Sequence, residues 1–191
     1  MIFETLVTTV NAAGEVHIAP MGISRENDAY IIAPFKPSKT LDNLRETGAA
    51  VINLSDDVRI FAGCLTGRRD WPTRAAEKVT GAILETSLAH VELKVSKEVD
   101  DEVRPTFYCR KIYETTHSPF MGFNRAQAAV LEAAILVSRL SMLPAEKIKN
   151  ELEYLQIAID KTAGSHERLA WQWLMDSVEE YFQEQKQETL P

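Results

Sequence analysis

The most informative residues of this chain are His17-Ile18-Ala19-Pro20-Met21-Gly22 and Pro34-Phe35-Lys36-Pro37-Ser38-Lys39-Thr40-Leu41-Asp42-Asn43-Leu44. The first run belongs to an alternating strand that Pro20 interrupts. The second leads into a short helix over 38–47, in which Ser38 can cap the N-terminus and Gly48 can end the helix in a left-handed conformation. Strands interrupted by one helix are therefore expected in the first half of the chain.

Strand patterns dominate the residues around this helix, where short apolar or alternating runs are separated by turn residues. The Asn11-Ala12-Ala13-Gly14 turn predicts a hairpin between the first two strands. The apolar segment 58–65 is grouped with the strands, and polar residues over 67–80 predict an exposed loop that is a candidate mobile element. The predicted strands cover 4–10, 16–23, 29–34, 49–54, 89–95 and 104–114, and the last two could close a small barrel.

After Pro119 the apolar residues recur at helical spacing in three segments. Pro144 begins the second of these helices, Gly164 ends it and Ser165 can cap the third. A β-rich part followed by a helical part predicts an α+β protein, with one domain over 1–118 and a helical bundle over 119–191. The predicted apolar stripes are Ala126, Val130, Ala133, Val137 and Leu140, then Ile148, Leu152, Leu155 and Ile159, then Leu169, Trp173, Val178 and Phe182.

Composition excludes several classes of function. Hydrophobic residues make up 45% of the 191 residues and charged residues 26%, which is typical of a soluble globular protein. The net charge of -7 and the lack of a basic cluster argue against binding to nucleic-acid phosphates. The first residues lack the pattern of a signal peptide, and no apolar run reaches the ~20 residues that a membrane span requires. A cytoplasmic location is the resulting expectation.

Cysteine and histidine residues give no sign of a metal site. The two cysteines, Cys64 and Cys109, are too few for a disulfide framework and are expected to be reduced and packed. The four histidines are scattered, without the spacing that gathers ligands on one helix face. We therefore predict that the chain binds no metal ion.

The start of the short helix has the chemistry of an anion site. Free amides at a helix N-terminus carry partial positive charge, Ser38 and Thr40 add hydroxyl donors, and Lys36 and Lys39 add full charges. A phosphate group would be held by such a set. The alternative is that Ser38 only caps the helix while both lysines are solvated.

The preceding strand offers a second hint of a ligand. Proline inside a strand is tolerated mainly at an edge, where a flat heteroaromatic ring could use the free backbone. Gly22 would allow close approach, and Ala19 and Met21 would leave room for the ring or pack against it, although a simple strand kink explains the same residues. His17 is either a proton donor or a half-exposed strand residue.

The order and spacing of these motifs resemble the DUF447 family of the FMN-binding split-barrel superfamily. In the first half the resemblance rests on Ala19-Pro20-Met21-Gly22, on Ser38-Lys39-Thr40 with Asn43-Leu44, and on Val51-Ile52-Asn53-Leu54 before Asp56-Asp57. In the second half it rests on Phe123-Asn124-Arg125-Ala126, Glu132, Arg139 and Lys161-Thr162-Ala163-Gly164, so that it covers nearly the whole chain.

The resemblance implies an N-terminal split β-barrel that forms a homodimer, with one FMN near each end of the subunit interface. The phosphate would lie at Ser38 to Thr40 and the ring along Ala19 to Gly22. Asn53 would contact the flavin, or it would be a satisfied asparagine at a turn entry.

The leading hypothesis for function is an FMN-dependent oxidoreductase of flavin-reductase-like type, in which the cofactor supplies the electron chemistry. Its substrate and its catalytic acid or base are not assigned. The Gly-x-Gly-x-x-Gly pattern of a nicotinamide-binding domain is absent, so a nicotinamide donor would bind transiently against the flavin. A flavin carrier or sensor without turnover, or a dimeric scaffold protein, are the alternatives.

Overall fold

The computed structural model describes residues 1–188, which divide into two compact units. Residues 1–56 and 70–120 form the first unit, and residues 57–69 with those from 121 onward form the second. The second unit thus includes the segment 57–69, which the sequence analysis assigned to the N-terminal domain. The last three residues of the predicted helical domain, 189–191, lie outside the described residues.

Eight strands form the first unit, and six of them close a barrel in the order β1-β2-β3-β8-β7-β4 with every pair antiparallel. All six predicted strands are confirmed, as is the α+β class. The strands are β1 Ile2–Val10, β2 Val16–Glu26, β3 Ala29–Ile32, β4 Ala49–Leu54, β5 Thr73–Ala75, β6 Ala82–Leu84, β7 Ala89–Val99 and β8 Thr106–Thr116.

The predicted short helix is α1, Lys39–Thr47, and it packs on the interior of the barrel. Gly48 ends it with φ at 63°, in the left-handed region that glycine adopts without strain. Leu41 and Leu44 are 3% and 1% exposed and share one apolar cluster with the inward-facing strand residues. The strand members of this cluster are Val7, Ile23, Tyr30, Ile32, Ala50, Ile52, Val91, Leu93, Phe107 and Cys109.

The outer face of β4 is covered by the hairpin of β5 and β6. Ala49 and Val51 pack there against Val79 and Ile83. The segment 67–80, predicted as an exposed loop, is mostly exposed, but its second half contains the short strand β5 and the buried Val79. Burial also raises the pKa of Cys109, in the barrel core, to about 12, so this thiol is unreactive.

The second unit is helical: α2 Val58–Leu65, α3 Arg125–Val137, α4 Ala145–Thr162 and α5 Ser165–Glu188. The segment 58–65 is therefore a helix and not one of the strands. Asp57 caps it by accepting a hydrogen bond from the Arg59 amide at 3.2 Å. Val58 and Ala62 pack in the core that α3, α4 and α5 form. An apolar run of eight residues fits a buried helix as well as a buried strand.

Pro144 precedes α4 and Gly164 follows it, as predicted, whereas Ser165, the predicted cap, is the first helical residue of α5. In α5 the buried residues are Ala170, Trp171, Leu174 and Val178, and Leu169 is 44% exposed. Of the predicted stripe, Val178 is buried and Trp173 and Phe182 pack against the core, so Leu169 is the one member that lies outside it. Among residues 1–188, no helix is long and apolar enough to cross a membrane.

Candidate ligand site on the barrel

The N-terminus of α1 leaves two backbone amides for a ligand. Ser38 is in an extended conformation and its Oγ accepts a hydrogen bond from the Leu41 amide at 3.3 Å. The Ser38 carbonyl accepts from the Asp42 amide at 3.1 Å. The amides of Lys39 and Thr40 precede these bonds and belong to the first turn, where no intrahelical acceptor exists. The predicted cap is confirmed, and it is compatible with an anion at the same helix end.

The lysines beside this helix end differ in availability. Lys39 is exposed, whereas the Lys36 Nζ lies 2.6 Å from Asp100 Oδ1. The hydrogen bond from Lys36 lowers the pKa of Asp100, which is 70% exposed and also contacts Arg45 at 3.3 Å. Exposed ion pairs of this kind contribute little free energy, so a phosphate could compete for Lys36.

Thr40 is more enclosed than its neighbours. It is only 2% exposed, whereas Ser38 is half-buried. Contact of its hydroxyl with a phosphate therefore stays a prediction, and the amides of the first turn are the more accessible donors.

Strand β2 has a free edge along the residues predicted to meet a ring. It pairs with β1 from Val16 to Ser24 but with β3 only from Ser24 to Glu26. Its residues 16–23 thus have a strand neighbour on one side only. Pro20 lies in this part and pairs across β1 with Leu6, which agrees with the prediction of proline at an edge.

This free edge and the helix are brought together by the fold. Met21 is half-buried against the cluster that contains Leu41 and Leu44. Val16 and His17 of β2 line a groove of about 280 Å³ together with Lys39, Asp42, Asn43 and Glu46 of α1 and with Asn11 and Glu15. Three carboxylates but only one lysine line this groove, so its charge disfavours an anion. A phosphate is therefore favoured only near the N-terminal end of α1.

Two of the candidate residues have structural explanations. A Cβ atom on Gly22 would lie 2.9 Å from the Ile2 Cγ2 atom, so close packing against β1 favours glycine there. His17 is a half-buried strand residue at the groove, the second of its two predicted roles.

Asn53 is a core residue and offers nothing to a ligand. It is 0% exposed, and its Nδ2 donates to Leu6 O at 3.2 Å and to Thr8 Oγ1 at 3.1 Å. Its Oδ1 accepts from the Leu84 amide at 2.8 Å and from Ser87 Oγ at 3.1 Å. The geometry corrects the flavin-contact prediction in favour of the satisfied asparagine, although the side chain joins β1, β4 and β6 and does not enter a turn.

A buried ionisable network on the outer face of β7 was missed by the sequence analysis. Glu92 is 0% exposed, and its carboxylate accepts the amides of Glu77, Lys78 and Val79 at 2.7, 2.6 and 2.9 Å. His90 Nε2 lies 3.2 Å from Glu92 Oε1. Burial raises the pKa of Glu92, but the backbone amides and His90 outweigh it and the net direction is down.

The network continues from His90 to the surface. His90 Nδ1 lies 2.8 Å from His117 Nε2, which is 3.2 Å from Arg74 Nη2. A guanidinium only donates, so His117 Nε2 is the acceptor in its contact with Arg74. Burial, His90 and Arg74 lower the pKa of His117. The alternation His90-x-Glu92 places both residues on one strand face, but their partners are distant in the sequence.

The sequence and the structure were compared with known proteins. Residues 3–118 match the family described as "Protein of unknown function (DUF447) N-terminal domain", and residues 124–176 match "Protein of unknown function (DUF447)". The comparison with curated proteins gave no match.

Solved structures share the fold. An FMN-bound DUF447 protein from Methanosarcina mazei superposes with a TM-score of 0.79 at 18% identity, over 92% of this chain and 94% of that one. The flavin reductase component of a bacterial two-component tryptophan halogenase gives 0.52 at 16% identity, over 62% and 82%. An NADH:FAD oxidoreductase from Streptomyces globisporus C-1027 gives 0.51 at 13% identity, over 61% and 77%.

The superpositions show that the fold is shared. At these low identities they do not show which ligand this chain binds. The family matches cover the barrel strands and most of the helical part. The resemblance seen in the sequence is thereby confirmed, and the chain belongs to the DUF447 family, with the split-barrel fold that flavin reductases share.

Proposed function

We propose that this chain binds FMN on its barrel and works as a flavoprotein oxidoreductase of flavin-reductase-like type. The observation that carries the proposal is the free edge of β2 beside the N-terminus of α1, in a fold shared with an FMN-bound protein over 92% of the chain. The phosphate lies at Ser38 to Thr40, and the ring lies along Ala19 to Gly22.

The phosphate end is supported by the donors that the helix leaves unused. The amides of Lys39 and Thr40 belong to the first turn, and Lys39 is exposed beside them. Lys36 also binds the phosphate, once the phosphate has displaced the exposed carboxylate of Asp100 from the Lys36 ammonium group. Backbone amides at a helix start suit a dianion because the helix dipole favours negative charge there.

The ring end is supported by backbone that no strand uses. Residues 19–22 of β2 have no strand neighbour on one edge, and Pro20 removes one donor from this part of the strand. Met21 packs against the apolar cluster that includes Leu41 and Leu44 of α1, so this strand and the helix share one core. When bound, FMN would supply the electron transfer, and the chain's residues hold it and shield it from water.

A homodimer and a cytoplasmic location are parts of the same proposal. Ile2 on β1 is 70% exposed, which is compatible with a covering partner subunit. The contacts that a partner would make with the flavin are left to experiment.

The first test is the visible spectrum of the purified full-length chain. Absorbance near the flavin bands, with FMN released on denaturation, supports the proposal. Protein that is colourless and takes up no added FMN in a fluorescence titration would overturn it. Anaerobic mixing with NADH or NADPH then separates an enzyme from a carrier, because bleaching of the bound flavin requires hydride transfer.

A charge at the helix cap tests the phosphate end. Ser38→Asp keeps a good N-cap but places a negative charge against the phosphate, so FMN should bind roughly 10- to 100-fold more weakly. Ser38→Asn is the matched control, since it caps equally well without the charge. Affinity should be measured by flavin fluorescence quenching, with circular dichroism confirming the fold. Equal affinity of the two variants would move the phosphate elsewhere.

A further inference from the structure

The barrel interior is closed at one end and open at the other. At the closed end α1 is tied to the last part of β1, where Asn43 Nδ2 donates to Thr9 Oγ1 at 3.0 Å. At the other end, the first residues of β1 pair with β2 only, because β4 pairs with β1 from Leu6 to Thr8. The interior therefore continues to solvent beside residues 3–5.

A cavity of about 290 Å³ occupies this open end. Its floor belongs to the rigid core: Ile52 is 0% exposed, Ile23 3% and Val91 5%. Its rim is formed by Phe3 and Leu54, which are 46% and 42% exposed. The lining residues are Phe3, Glu4, Thr5, Ile23, Arg25, Tyr30, Ile52, Leu54 and Val91. A preformed apolar recess of this size is at the low end for small-molecule sites, so it suits a molecule of one or two rings.

One cation stands at the mouth of this recess without a salt bridge. The guanidinium of Arg25 lies 5.0 Å from the centre of the Tyr30 ring, and no carboxylate among residues 1–187 forms an ion pair with it. Glu4, the acidic lining residue, turns its carboxylate toward Gly22, with Oε1 3.5 Å from the position of an added Cβ atom. The Thr5 hydroxyl is engaged with Met21 O at 3.0 Å.

We propose that the open end of the barrel binds a small aromatic carboxylic acid, with its ring on the apolar floor and its carboxylate on Arg25. Arginine matches a carboxylate with two parallel donors, and an apolar floor excludes a second charged group. A small molecule is favoured over a second protein chain because the surface is a recess with a buried floor. This site lies apart from the helix end assigned to FMN and does not depend on it.

Phenylacetate and its neutral analogue phenylacetamide are the probes for calorimetric titration of the full chain. We expect Arg25→Met to weaken phenylacetate binding about tenfold and to leave phenylacetamide binding unchanged, because methionine still covers Tyr30. Arg110→Met, which removes an exposed arginine of β8, is the matched control and should bind phenylacetate as the wild type does. Leu54→Trp should fill the mouth and abolish binding of both probes.

Three results would overturn the proposal. The first is no heat or NMR shift change with phenylacetate at millimolar concentration. The second is equal phenylacetate affinity of the wild type and Arg25→Met. The third is a dimer, seen by analytical ultracentrifugation, that Leu54→Trp converts to monomer, since a second copy would then cover the mouth. FMN binding is measured separately, so failure here leaves the proposed function intact.

Discussion

Strands β4 and β7 each have two buried faces: the inner face is apolar, whereas the outer face also carries buried polar residues beside Ala49 and Val51. Ile52 and Leu93 point into the barrel and join its apolar core, whereas their neighbours Asn53 and Glu92 point outward. All four residues are 0% exposed. The outer face of β4 and β7 is therefore buried like the barrel interior. The comparison shows that a buried strand position can be polar or apolar.

The two faces are stabilised by different means. The inner face is stabilised by removal of apolar area from water. The outer face requires a partner for every polar atom: Glu92 accepts three backbone amides of residues 77–79, and Asn53 accepts the Leu84 amide. The β5–β6 hairpin supplies these groups. We therefore expect substitutions of the polar outer residues to destabilise the fold through lost hydrogen bonds, and substitutions on the inner face to destabilise it through lost apolar packing.

The largest effect is expected from Glu92→Ala. Three amides, of which that of Val79 is buried, and the buried His90 would lose their acceptor, which should destabilise the barrel by about 3–5 kcal/mol. Urea unfolding gives the free energy, and hydrogen exchange read by mass spectrometry locates the change. Residues 77–79 should lose protection first, because their amides bond the missing carboxylate.

The adjacent residue supplies the control for that variant. Leu93→Ala leaves a cavity in the apolar core and should cost about 2–5 kcal/mol. It should raise exchange throughout the barrel, without a selective effect on 77–79. Protection of 77–79 that is unchanged in Glu92→Ala would contradict the idea that the carboxylate holds this segment.

A smaller effect is expected at Asn53. Asn53→Leu has a similar volume but leaves the Leu84 amide and the Ser87 hydroxyl without an acceptor, for a loss of about 1–3 kcal/mol. Ile52→Val on the inner face removes one methylene and should cost about 0.5–1.5 kcal/mol. Urea unfolding compares the two, and an Asn53→Leu variant as stable as the wild type would show that these bonds contribute nothing.

The inner face was predictable from the sequence, and so was the helix that packs on it. Alternation and turn residues located the six barrel strands, and Ser38 and Gly48 bounded α1, because these signals act within a few residues. The candidate phosphate residues could be named for the same reason. The position of these residues relative to β2 could not be predicted, since it depends on which strand edges have no neighbouring strand.

The outer face was not predictable by the same rules. Alternation marks His90 and Glu92 as polar positions of a half-buried strand, but it cannot reveal that a hairpin covers them. Asn53 was ambiguous for this reason too. The helix α2 was missed because six of the eight residues of Val58–Leu65 are buried, and a short apolar run of this kind fits a buried strand as well. Each failure involves burial by a segment far away in the chain.

The smallest expected effect is a pH dependence confined to the outer face. The folded pKa of His117 lies below its ordinary 6.5, so the unfolded chain binds more protons and stability falls as pH drops below about 6.5. Glu92 has a folded pKa below its ordinary 4.5, so its contribution is complete above about 4.5 and is lost as pH falls further. Leu93→Ala should keep both losses, whereas Glu92→Gln should remove the lower one.

NMR titration of the His117 ring tests the upper loss directly. Arg74 is one of the charges that lower the His117 pKa, so Arg74→Met should raise that pKa toward its ordinary value. The acid loss of stability near pH 6 should shrink with it, because the difference in bound protons between folded and unfolded chains becomes smaller. Arg110→Met, with an exposed arginine elsewhere on the barrel, should leave the titration unchanged. If both variants titrate like the wild type, Arg74 does not act on His117, and the network ends at the two histidines.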